Sequence, residues 1–141
     1  MSFREKSAWI SFICLLVFGA LYAWHAVSGE TFRVRGIGAM TFVFGTMAAL
    51  IALEIGLHVA IAIQSPKEAR TPRDERERLI DLRASRVAFY TLLTGTFASI
   101  GAGMHLPGGN RFLMANWMMG SIIVTGLVRF GTQIVLSRRD A

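Results

Sequence analysis

The sequence predicts an all-α integral membrane protein: an antiparallel four-helix transmembrane bundle with both termini cytoplasmic and the third helix extended into the cytoplasm. Three observations carry this. Four apolar runs, about 8–27, 37–63, 87–106 and 114–136, are each about as long as a span, and a helix needs roughly 20 apolar residues to cross the ~30 Å hydrocarbon layer. Hydrophobic residues make up 53% of the 141, so 1–141 reads as a single transmembrane domain with no room for a separate soluble catalytic domain. The basic residues are also unevenly placed. Arg4, Lys6, Arg138, Arg139 and the seven in the 64–86 stretch fall on one side of the spans, and Arg33, Arg35 and Arg111 on the other. The positive-inside rule then puts both termini and the 64–86 stretch in the cytoplasm. A net charge of +6 is accounted for in this way, with attraction to anionic lipid added. No direct nucleic-acid contact is expected, because no basic patch carries base-stacking aromatics.

The first span follows a basic start that resembles a signal peptide, but its apolar run is longer than the usual 7–15 residues and has no A-x-A-like end. It is expected to be a retained helix and signal anchor. Trp9 near its inner end and Tyr22 and Trp24 near its outer end suit interface belts. Cys14 is the chain's single cysteine, so no internal disulfide can form; it is expected to pack as a small apolar residue. The short 29–36 connection makes spans one and two antiparallel neighbours. Span two is longer than a perpendicular crossing needs and has room to tilt. Its Ala48, Ala52, Gly56 and Ala60 form a small-residue stripe, as do Gly95, Ser99 and Gly103 in span three. Such stripes let helices approach closely, within one chain or between chains, where lipid supplies no hydrophobic drive.

Between spans two and three, Pro66 stops one helix. Thr71-Pro72-Arg73-Asp74 predicts the start of the next, with Thr71 as N-cap and Pro72 at the first helical position. Asp74, Glu75 and Glu77 suit the positive helix start, and Asp74 and Arg78 have the spacing of an i,i+4 pair. This helix is expected to run on from Pro72 to about Leu106. Leu79, Ile80 and Leu82, with Arg76 and Arg83, form the candidate contact for a partner helix or a membrane surface. A tight outer turn at 107–110 leads into span four. Spans one and two do not resemble spans three and four, which argues against an inverted-repeat transporter built from one chain.

Few residues carry chemistry. Glu54 and Arg129 are ionisable groups inside spans, which is costly unless they are paired. Their matched distances from the inner ends of spans two and four predict a Glu54–Arg129 ion pair, either a structural pair fixing helix register or part of a proton- or ligand-responsive site. His58, one turn after Glu54, completes this candidate intramembrane polar site and is expected to hydrogen-bond Glu54. A metal there lacks further ligands. His25 and His105 are weak candidates for a metal or haem near the outer surface. Met104, Met114, Met118 and Met119 could offer thioethers to a soft metal, but packing is the plainer reading. The glycine pairs at 36–38 and 101–103 lack the strand–turn–helix setting of a phosphate loop. No catalytic set is apparent and no cofactor is expected.

The stretch 74–84, Asp-Glu-Arg-Glu-Arg-Leu-Ile-Asp-Leu-Arg-Ala, resembles the D-E-R-[DE]-x-x-I-x-x-[RK]-A helix of a family of small bacterial and archaeal membrane proteins, a domain of unknown function. The likeness covers this segment and the hydropathy layout. Genes of that family can lie beside small helix-turn-helix regulators, so the resemblance implies a bacterial inner membrane and a regulatory or accessory role. It transfers no catalytic residue. Three functional readings follow. The first is a non-enzymatic membrane protein that acts on a cytoplasmic or membrane protein partner. The second is a small proton-coupled transporter working as a homo-oligomer, although span one lacks the acid such exporters use. The third is a haem- or quinone-linked redox subunit.

Overall fold

The computed structural model describes residues 3–27, 37–64, 74–105 and 111–139, and these form four helices. In chain order they are α1 (Phe3–Val27), α2 (Ile37–Gln64), α3 (Glu75–His105) and α4 (Arg111–Arg139). Each contains a stretch long and apolar enough to cross a membrane: Glu5–His25, Met47–Gln64, Glu75–Met104 and Asn116–Arg139. Large apolar side chains stand exposed along all four, including Trp24, Phe44, Phe97 and Met104. A water-soluble surface rarely tolerates apolar area on that scale, whereas lipid is its natural solvent.

The chain divides into two compact units, Met1–Pro72 and Arg73–Ala141, each holding one pair of helices. In the second unit the register is antiparallel. Asp81 of α3 meets Gln133 of α4, Ser99 meets Ser121 and Gly103 meets Met114, so partner numbers fall as α3 advances. The Gly95, Ser99, Gly103 stripe forms this seam. A Cβ on Gly95 would lie 2.7 Å from both Cβ and Oγ of Ser121, too close for any side chain. Ser99 is fully buried, as is Ala84, about three turns before Gly95 along the same seam. Hydroxyls on both helices are satisfied by their own backbone: Ser99 donates to the Gly95 carbonyl at 2.7 Å, Ser121 to Trp117 at 2.8 Å and Thr125 to Ser121 at 2.7 Å. Back-bonding of this kind lets polar side chains sit in an apolar setting.

The first unit packs through another set of small groups. Ala8, Ser11, Cys14 and Phe18 are buried, at the three- and four-residue spacing of one helix face. Opposite them, α2 presents half-buried Met47, Leu50, Glu54, His58 and Ile61. Ala48, Ala52, Gly56 and Ala60 lie on another face and are exposed, and a Cβ on Gly56 would meet nothing within 4 Å. The α2 stripe is therefore not the seam with α1. Cys14 is buried, as its setting in an apolar run suggests.

The start of α3 corrects one expectation. The helix begins at Glu75, not at Pro72, and Thr71 and Pro72 lie outside the described residues. Asp74 occupies the cap. Its carbonyl accepts from the Arg78 amide at 3.1 Å, its carboxylate accepts from the Glu75 amide at 2.7 Å, and its own amide donates to the Glu77 carboxylate at 3.3 Å. The last bond is the returning half of a capping box, which uses an acid three residues after the cap; Glu77 has that spacing from Asp74 and not from Thr71. From there α3 runs unbroken to His105, as the continuous apolar pattern predicts.

Candidate functional site

In the first unit, one polar cluster lies between α1 and α2. Ser11 is buried on α1 and its Oγ donates to Glu54 Oε1 at 2.6 Å. The same Oγ lies 3.5 Å from His58 Nε2. His58 Nδ1 lies 2.8 Å from the backbone carbonyl of Glu54. A carbonyl can only accept, so Nδ1 carries a proton; when the ring is neutral, Nε2 is then an acceptor. Cys14, one turn along α1, is within electrostatic reach of the Glu54 carboxylate. The cluster is some way into both helices: Glu54 is roughly 15 Å from the Gln64 end of α2 at ~1.5 Å per residue.

The hydrogen bond expected between His58 and Glu54 is thus made to the Glu54 backbone, and the Glu54 carboxylate is held by Ser11. Arg129, expected opposite Glu54, has its partner within its own unit. Its Nη2 donates to Asp81 Oδ1 at 3.4 Å. Gln133, one turn further along α4, donates to the same oxygen at 2.8 Å. Arg129 also lies 5.8 Å from the ring centre of Phe130. With side chains 46% and 31% exposed, the Arg129–Asp81 pair orients the helices more than it stabilises them.

Asp81 therefore holds the first turns of α3 against α4. Asp81, Ala84 and Ala88 share one side of the helix, with Ala84 and Ala88 buried. By the 3.6-residue repeat, Leu79, Leu82 and Arg86 lie on the opposite side. Leu79 and Leu82 are 55% and 64% exposed, Arg76, Arg83 and Arg86 are exposed, and Ile80 is half-buried. Of the five candidate contact residues, Ile80 alone turns partly inward.

His25 lies near the end of α1 and His105 is the last residue of α3, in different units. No group of three or more His, Cys, Asp or Glu suited to a metal occurs among the described residues. Met104 and Met118 are exposed, and Met114 packs on Gly103.

Sequence reasoning missed Ser11, Asp81 and Gln133. Ser11 is one small polar residue in an apolar run, and Asp81 one charge among many. A faint signal for α4 was available, since Arg129 and Gln133 are spaced i,i+4 and so share a face.

Comparison with protein-family models, with curated proteins and with solved structures finds no match.

Proposed function

We propose that this is a multi-pass protein of the bacterial inner membrane, with both termini cytoplasmic, whose role is regulatory or accessory and exercised by binding a protein partner. The observation that carries this reading is the two-sided start of α3. One side is tied to α4 through Asp81, Arg129 and Gln133. The other offers Leu79 and Leu82 flanked by Arg76, Arg83 and Arg86. A helix held from behind has less conformational freedom to lose on binding, which favours association. Two exposed leucines among arginines suit a partner helix with an apolar stripe edged by acids. The charge bias across the spans supports a cytoplasmic setting for this face.

Affinity purification in mild detergent from the native host tests the reading. A partner should co-elute stoichiometrically with the wild-type chain and be lost from Leu79→Ser/Leu82→Ser, while that variant still fractionates with membranes. A partner retained by the double variant rules this face out as its contact.

A further inference from the structure

The atoms His58 Nε2, Ser11 Oγ and Glu54 Oε1 form a row, separated by 3.5 and 2.6 Å. When Glu54 is ionised, this row contains one hydrogen for two gaps. The Ser11 hydroxyl proton fills the shorter gap, toward Glu54. His58 has its own proton on Nδ1, directed at the Glu54 carbonyl, so in the neutral ring Nε2 faces the Ser11 oxygen with a lone pair. Two acceptors then face each other across the 3.5 Å spacing. One added proton completes the row.

We infer that Glu54, Ser11 and His58 form a reversible one-proton site inside the α1–α2 pair. With the proton bound, Glu54 Oε1–H donates to Ser11 Oγ, and the Ser11 hydroxyl swings round to donate to His58 Nε2. Glu54 becomes a neutral acid, His58 stays neutral, and the hydroxyl keeps one hydrogen throughout. The same state is reached from the His58 side. A proton arriving on Nε2 passes to Ser11 Oγ as the Ser11 proton passes to Glu54. His58 lies one turn nearer the Gln64 end of α2. Binding changes the cluster from one negative charge to none, and a charge inside an apolar span is costly. Among the described residues of α1 and α2, the titratable groups near the row are few. From α2 they are Glu54 and His58 themselves. From α1, Cys14 is within reach of Glu54, while Glu5 and Lys6 are about two turns before Ser11 and Tyr22 and His25 lie toward the other end.

The site stands apart from the partner reading, since Leu79 and Leu82 can bind or fail to bind whatever Glu54 does. It is tested by labelling the full-length protein, in lipid nanodiscs, with dicyclohexylcarbodiimide, which traps protonated carboxyls in apolar settings. Adducts at Glu54 are read by peptide mass spectrometry. Wild-type labelling should rise as pH falls and be absent from Glu54→Gln. At neutral pH, Ser11→Ala removes the bond to the ionised carboxylate and should raise labelling roughly tenfold, the size of one charge-assisted hydrogen bond. His58→Phe removes the acceptor that completes the protonated row and should lower it several-fold. Ser11→Thr, which keeps the hydroxyl, should stay near wild type. Wild-type labelling that is absent or flat with pH overturns the inference, as does a shift in the same direction for Ser11→Ala and His58→Phe.

Discussion

Gly95 shows how much one missing side chain decides. Its position against Ser121 leaves no volume for a Cβ, the nearest atoms being 2.7 Å away and rooted at the other helix's backbone. Gly95→Ala must therefore part α3 from α4 or distort one of them, and overpacking of this kind costs about 1–3 kcal/mol. Gly120→Ala is the matched control, because nothing lies within 4 Å of its would-be Cβ. Thermal unfolding in detergent should separate the two, with Gly95→Ala losing stability and Gly120→Ala holding or gaining slightly through better helix propensity. Ser11 is a second case of a small residue with a large consequence. Its hydroxyl reaches both Glu54 and His58 because a short side chain on a close-packed helix face can touch two residues one turn apart on its neighbour.

Among the elements, α3 is the one whose two ends answer to different rules. Its start is polar and capped by Asp74 and Glu77, its remainder is apolar, and the small-residue seam with α4 runs through both parts. The Asp81 clamp belongs to this level, since it joins helices 48 and 52 residues apart in sequence. Asp81→Ala leaves Gln133 and Arg129 without their shared acceptor. Both can turn toward water or lipid headgroups, so the loss of stability should be modest, about 1 kcal/mol. The first turns of α3 should loosen more than the rest. Hydrogen exchange of the amides in 78–84 should quicken in Asp81→Ala while those around Ser99 stay protected.

For the molecule as a whole, four helices able to cross a membrane and a one-sided charge distribution make a topology prediction. Green fluorescent protein fused to either terminus should fluoresce, and alkaline phosphatase fused within 29–36 or 107–110 should be active, because the first folds in the cytoplasm and the second only outside it. The chain should stay with the membrane through alkaline carbonate extraction. Fluorescence at one terminus alone would mean an odd number of crossings and would overturn the four-span topology.

Helix number, type and approximate bounds could all be read from residue order. A span must satisfy its own backbone hydrogen bonds, and it announces itself as a long apolar run. The Gly95, Ser99, Gly103 seam was legible for the same local reason, since small residues at a four-residue spacing fall on one helix face. Partners were not legible. Depth along a span, the ground for matching Glu54 with Arg129, is a one-dimensional measure, while pairing within a helix pair depends on which faces meet and at what rotation. Only the packed helices assign Ser11 to Glu54 and Asp81 to Arg129 and Gln133. They also distinguish the two small-residue stripes, placing that of α3 at a seam and leaving that of α2 exposed. Hydropathy acts along the chain and is recorded in the order of residues; side-chain pairing acts across helices, over distances of a few ångströms that sequence separation does not encode.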